Sequence, residues 1–138
     1  MGAWAYYALL AAFFAALVAI LGKIGVRDVD ATLATAVRAV VMAIFLVGAA
    51  LMLGKTRGLG SISPRAFGFI VLSGVAGALS WLFYFVALRH GPATGVAALD
   101  RLSVVLVFVL AVVFLGDALT WRAALGAVLV VAGAILLT

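Results

Sequence analysis

The chain has 138 residues, 70% of them hydrophobic and 9% charged, whereas a soluble domain is roughly half apolar and about a quarter charged. A globule of this size has too little interior to hide so much apolar surface, so the surplus must face lipid and the chain reads as an integral membrane protein. Its formal charge of +5 is scattered over the whole length rather than gathered on one face, which excludes a nucleic-acid surface, and the lack of cysteine excludes disulfides and thiolate metal sites.

Five apolar stretches follow one another. The first covers 4–21, and no charged side chain precedes it, so it is expected to be a retained span rather than a signal peptide. A break with Gly22, Lys23, Gly25, Arg27, Asp28 and Asp30 leads to the second, 31–53. Gly54, Lys55, Arg57, Gly58, Gly60, Ser61 and Pro64 separate it from the third, 67–88, which ends at Arg89-His90-Gly91-Pro92. The fourth covers 94–115 and is closed by Gly116 and Asp117; the fifth runs over 121–137. At 1.5 Å per residue such lengths roughly match a ~30 Å hydrocarbon layer. None shows the apolar–polar alternation of a barrel strand, and lipid requires backbone groups to be satisfied within the segment. The fold class expected is therefore all-α: a polytopic bundle of five spans forming one domain over 1–138.

Gly22, Gly54, Gly91 and Gly116 each follow an apolar run and are expected to close a helix in the left-handed region. Pro64 and Pro92 stand just before runs, where a missing amide proton costs little. Breaks this short force consecutive helices to run antiparallel. Lys55, Arg57, Arg65 and Arg122 fall on the face of the amino terminus, side A, and Lys23, Arg27 and Arg89 on the opposite face, side B. Four against three favours a cytoplasmic amino terminus only slightly and leaves insertion in both orientations open.

The informative residues are polar ones within the spans. Arg38 lies about six residues into the second span, and Asp100 and Arg101 about seven into the fourth, all roughly 10 Å below side B. Charge at that depth is costly and needs a partner or water. Asp100 and Arg101, being adjacent, do not share a helix face, so the expected pairing is Arg38 with Asp100, while Arg101 meets another acceptor or snorkels. The pair either fixes helix register as a structural clamp or lines a solute pathway. Trp81, Tyr84, Phe85 and Leu88 share one face of the third span. Trp81 and Tyr84 stand near the level of Arg38, where they form either a pocket wall for an amphipathic or cationic metabolite or interfacial anchors. Ser103, one turn beyond Asp100, is a local donor or bonds its own backbone.

Small residues mark the expected packing surfaces: Gly74, Gly77 and Ala78 in the third span, Ala123, Gly126 and Ala127 in the fifth. Asp117, Thr120 and Trp121 read as a loop, a helix start and an interfacial anchor. His90 has no evident nucleophile or metal partner, so neither a catalytic centre nor a metal site is expected, and without a phosphate-binding glycine loop no nucleotide cofactor is expected either.

These residues carry a resemblance. Gly22-Lys23-Ile24-Gly25, Arg38, the block Trp81-Leu82-Phe83-Tyr84-Phe85-Val86-Ala87-Leu88 with Gly91-Pro92-Ala93, Leu99-Asp100-Arg101-Leu102-Ser103, and Phe114-Leu115-Gly116-Asp117-Ala118-Leu119-Thr120 with Gly126 and Gly133 together resemble one EamA repeat of the drug/metabolite transporter superfamily, in its stand-alone five-span form. Many relatives have Glu in place of Asp117 and Lys in place of Arg101; both differences keep the charge. The resemblance implies a secondary transporter of small metabolites or drugs in the cell membrane, commonly exporting, in which two inverted five-span repeats form the path. A single repeat is then expected to act as a homodimer, antiparallel in the leading arrangement, or with a second five-span subunit. The alternative is a non-transporting assembly or regulatory subunit in which the buried charges are only a clamp.

Overall fold

The computed structural model describes residues 2–116, 118 and 120–138. Among these residues every regular element is helical. The helices are α1 (Ala3–Gly25), α2 (Ala31–Met52), α3 (Pro64–His90), α4 (Ala93–Asp100), α5 (Ser103–Leu110) and α6 (Trp121–Leu136), with a 3₁₀ helix at Lys55–Ser61 and a π-helical turn at Ala111–Leu115. Four segments are long and apolar enough to cross a membrane: α1, α2, α3, and the fourth formed by α4, α5 and the π turn over Ala93–Leu115. With 16 residues, α6 spans about 24 Å, short of a ~30 Å hydrocarbon layer.

The chain divides into two compact units, residues 24–89 and residues 1–23 with 90–138. In the first, the Asp30 carboxylate caps α2 by accepting from the backbone N–H groups of Thr32 (2.9 Å) and Leu33 (3.1 Å), meeting two of the donors that a helix start leaves unpaired. Gly54 closes α2 at φ 65°, a conformation that a Cβ would oppose. Ser63 Oγ accepts from Ala66 N–H at 3.2 Å and Pro64 fills the first position of α3, where its absent N–H is not needed. Arg89 near the end of α3 reaches Asp30 at 3.5 Å. This joins the start of α2 to the end of α3 by an exposed ion pair of modest strength.

In the second unit, α6 packs against α4 and α5. Lys23 Nζ, in the last turn of α1, donates to the Gly91 carbonyl at 2.8 Å. Gly95 lies where a Cβ would stand 3.4 Å from Pro92 Cγ and 3.7 Å from the Leu137 carbonyl oxygen, bringing the start of α4 against the end of α6. Gly116 closes the fourth segment at φ 73°, and Thr120 Oγ1 caps α6 by accepting from Ala123 N–H at 3.3 Å. Asp117, the expected loop residue before that cap, lies outside the described residues.

Two expectations need correction. Only Gly54 and Gly116 take positive φ among the described residues. Gly22 is buried inside α1, which runs on to Gly25, with Lys23 in the last turn favourably placed against the helix dipole. Gly91 turns α3 into α4 without positive φ, because Pro92 supplies an extended cap at φ −67°, ψ 142°. The fourth segment is also not one uninterrupted α-helix. Arg101 N–H bonds Ala98 O (3.1 Å), Leu102 N–H bonds Leu99 O (2.9 Å), Val104 N–H bonds Arg101 O and Val105 N–H bonds Leu102 O (both 3.0 Å). These are three-residue steps instead of four, so the helix tightens across Asp100–Leu102.

Little of this surface is buried. No residue in the most apolar 18-residue window of α2 is buried, and large side chains such as Phe45, Leu46, Phe69 and Leu72 are all more than half exposed. Helices apolar on every side, with their backbone bonded internally, define a protein whose solvent is lipid.

Candidate functional site

The unit of residues 24–89 contains a groove between α2 and α3. Its cavity has a volume of about 660 Å³. One wall is the stripe Thr32, Thr35, Ala36, Ala39, Met42, Ala43 and Leu46, at helical spacing. The other is Gly74, Gly77, Ala78, Trp81 and Leu82. Most of these side chains are small, which is what keeps the space open. A Cβ built on Gly74 or Gly77 meets nothing within 4 Å. Within the unit of residues 24–89, Gly74, Gly77 and Ala78 line a cleft and make no close helix–helix seam with α2.

Arg38 and Trp81 face each other in the groove, between Thr32 and Thr35 at one end and the apolar walls that run to Leu46. The guanidinium carbon of Arg38 stands 3.7 Å from the Trp81 ring centroid and 5.6 Å from that of Phe85. Trp81 in turn meets Tyr84 edge-on at 5.4 Å and Phe85 at 6.2 Å, the offset geometry that aromatic quadrupoles favour. Phe85 and Leu88 are buried, and Trp81, Tyr84 and Arg38 are half-buried. Both partners of the stack sit eight residues further into their helices than the Asp30–Arg89 ion pair. The antiparallel helices thus keep one register, and the stack lies about 12 Å below that end.

The sequence-predicted residues fall in two places. Arg38, Trp81 and Tyr84 come together in the unit of residues 24–89. Asp100, Arg101 and Ser103 lie at the tightened turn of the fourth segment, in the other unit. Asp100 ends α4 and is half-buried, while Arg101 and Ser103 are exposed. Arg101 lines a smaller cavity of about 230 Å³ with Ala98, with Val130, Gly133 and Ala134 of α6, and with Leu137 just after it. The partner that the geometry gives Arg38 is an aromatic face.

Sequence reasoning missed the α2 wall. The signal was present as small or polar residues recurring every three or four positions from Thr32 to Ala43, on the face that carries Arg38. It also missed the Asp30–Arg89 pair, although both residues belong to side B. Asp30 titrates below the ordinary aspartate value of 3.8, chiefly because Leu33 N–H bonds its charged form, with Thr32 N–H and Arg89 acting in the same sense. Among the described residues no cluster of three or more His, Asp or Glu could hold a metal ion.

Apolar helices of membrane length define an integral membrane protein, and the unit of residues 24–89 carries a groove with a cation and an aromatic cluster on its walls. The chain belongs to the EamA-like transporter family, whose sequence profile matches residues 2–138. It is 41% identical over 134 residues to a Sinorhizobium protein described as an uncharacterized transporter in the cobO 3′ region, covering 97% of this chain and 95% of that relative. No solved structure matches it.

Proposed function

We propose that this chain is a secondary transporter of small metabolites or drugs in the cell membrane, that it works in the exporting direction, and that the α2–α3 groove is part of its solute path. The observation that carries this reading is the groove itself, about 660 Å³ and within the ~300–1,000 Å³ of small-molecule sites. It is kept open by small side chains and has the Arg38–Trp81 stack in its wall. A mere register clamp would need no such volume. In this reading all five apolar segments span the bilayer as one domain, α6 through local thinning or with the help of flanking residues.

The groove is open along its length. In a family whose members move solutes, its missing wall is a second five-span repeat, supplied by another copy inverted in the membrane or by a separate subunit. Homodimerisation in antiparallel orientation accords with the near-balanced basic residues, Lys55, Arg57, Arg65 and Arg122 against Lys23, Arg27 and Arg89. Asp100 sits at a comparable depth by sequence. In the alternative reading, a non-transporting subunit, Asp100 is the carboxylate that meets the N–H edge of Arg38 as a register clamp, and that edge is then closed to a solute.

The test is flux. Purified chain in liposomes loaded with a mixture of small metabolites should release some of them faster than empty liposomes do, and Trp81→Leu should slow that release at equal reconstitution. No chain-dependent release of any solute, in either direction of the imposed proton or sodium gradient, defeats the transporter reading. A carboxyl-terminal reporter found on one membrane face only defeats the antiparallel homodimer.

A further inference from the structure

The geometry points to a small amphipathic monoanion as the solute of the α2–α3 groove: a carboxylate head held on Arg38 and an apolar body lying along the small-residue cleft. This rests on the reading of that groove as the solute path and names the chemistry that the path selects.

An aromatic wall taken alone suggests a cation, since the face of an indole is the best cation site among side chains. In the structure that face is already occupied by the chain's own guanidinium, with the Arg38 Cζ at 3.7 Å from the Trp81 centroid. A second cation would meet like charge in a poorly screened place, where such repulsion is strong. Among the described residues no aspartate or glutamate lines the groove, and Arg38 is its one charged lining residue. The field around Arg38 in the cleft is therefore positive.

Stacking also leaves the right donors available. A guanidinium that lies over a ring by its face keeps its N–H groups in the plane, pointing outward as a fork. No acceptor on α2 or α3 bonds to it among the described residues; the nearby Thr35 hydroxyl donates to the Ala31 carbonyl at 2.7 Å. A carboxylate matches that fork with two parallel bonds. It also neutralises a charge that is expensive to hold at such depth, so head-group recognition relieves a cost already present in the empty groove. Away from Arg38, the walls offer Ala36, Ala39, Ala43, Gly74, Gly77 and Ala78. On this side of Arg38 they have nothing to bond a polar body and enough room for a ring or a short branched chain, while the lining hydroxyls of Thr32 and Thr35 lie on the other side.

The test uses the full chain in detergent with Trp4→Phe and Trp121→Phe, which leaves Trp81 as the single indole. Its emission is followed while phenylacetate, phenylacetamide and phenethylammonium are titrated. Phenylacetate should give a saturable change, the amide should bind at least tenfold more weakly, and the ammonium should give none. Arg38→Gln should abolish the preference of phenylacetate over the amide. Arg38→Lys should keep the preference with reduced affinity, which guards against Arg38→Gln failing to fold. Gly77→Leu, which fills the cleft away from the charge, should weaken both ligands alike. Tighter binding of the ammonium, an anion preference that survives Arg38→Gln, or no saturable change with any probe overturns the proposal. Liposome flux separates it from the reading beneath: anion binding without flux of any solute defeats transport alone, and flux of cations without anion binding defeats the anion assignment alone.

Discussion

The contact between Arg38 and Trp81 makes a quantitative prediction about stability. With the guanidinium carbon 3.7 Å from the ring centroid and both side chains half-buried, the pair should contribute about 1–2 kcal/mol, between the values for exposed and desolvated cation–π contacts. Single substitutions cannot read this cleanly. Arg38→Gln also removes the ~2.5–3.5 kcal/mol that an arginine costs at the centre of a membrane helix, so that variant could even gain stability. Trp81→Leu loses in addition the edge-on contacts with Tyr84 at 5.4 Å and Phe85 at 6.2 Å, each about 0.5–1.5 kcal/mol. A double-mutant cycle cancels these terms. Unfolding the four proteins reversibly in bicelles should give a coupling energy of about 1–2 kcal/mol between the positions, while well-separated positions add to within ~0.3–0.5 kcal/mol. Additive behaviour within that margin would refute the stack, and with it the claim that the aromatic face is taken by the chain's own cation. A parallel cycle between Arg38 and Asp100 tests the carboxylate clamp of the alternative reading; there, additivity leaves the stack intact and removes the pair.

Other outcomes follow from the same geometry. Asp30 is held below its ordinary value of 3.8 by N–H groups that bond its charged form, so the stability it adds is complete above the unfolded value and is lost as pH falls through the lower folded value. Melting temperature in detergent should therefore be flat with respect to this group at neutral pH and decline below about pH 4, and Asp30→Asn should remove that part of the decline. Gly95→Ala places a methyl at ordinary contact distances, 3.4 Å from Pro92 Cγ, and should cost little. Gly95→Leu must push α4 from the end of α6, at about 1–3 kcal/mol, and should lower the melting temperature. Gly74→Ala and Gly77→Ala meet open space and should fold with normal yield. Gly74→Leu fills the cleft and should slow flux while leaving the yield unchanged; a drop in yield with unchanged flux would show that Gly74 packs against a helix instead.

How much could be read in advance depended on whether the signal was local. Helix existence was legible because apolar runs of this length have few alternatives in lipid, and Pro64, Thr120, Gly54 and Gly116 act through their own backbone or nearest neighbours. Gly22 and Gly91 look the same in sequence, yet the following residues decide their fate: α1 continues to Gly25, and Pro92 makes the turn. The site was legible in composition, and the Arg38–Trp81 contact was not. Arg38, Trp81 and Tyr84 were recognisable as residues out of place in hydrocarbon, and spacing put the two aromatics on one face. Opposite charge made Asp100 the natural partner for Arg38. Within the unit of residues 24–89, the α2–α3 register brings an indole to the same level as the guanidinium, a contact that opposite charge does not announce. Small residues are ambiguous in sequence. Glycine and alanine permit close packing and permit an open cleft, and only the neighbours distinguish the two.

The tightened turn at Asp100–Leu102 follows from the same economy that governs the rest of the chain. A break in a membrane helix exposes backbone groups to hydrocarbon, at several kcal/mol for each one left unpaired, and neither glycine nor proline stands between Gly95 and Gly116 to make one. The fourth segment avoids that cost by rewinding. Arg101, Leu102, Val104 and Val105 keep their N–H bonds by stepping to the carbonyl three residues back, at 2.9–3.1 Å, and Leu106 resumes the four-residue step to Leu102 at 3.2 Å. Below it, Ala111–Leu115 is wound the opposite way, as a wide π turn. One segment thus holds an overwound stretch at its only ionisable pair and an underwound stretch near its far end, with α5 between them. Changing the winding at either place exchanges one set of backbone bonds for another instead of breaking them. The side chains of Asp100 and Arg101 can therefore be re-aimed by a change of helical phase without opening the helix to lipid.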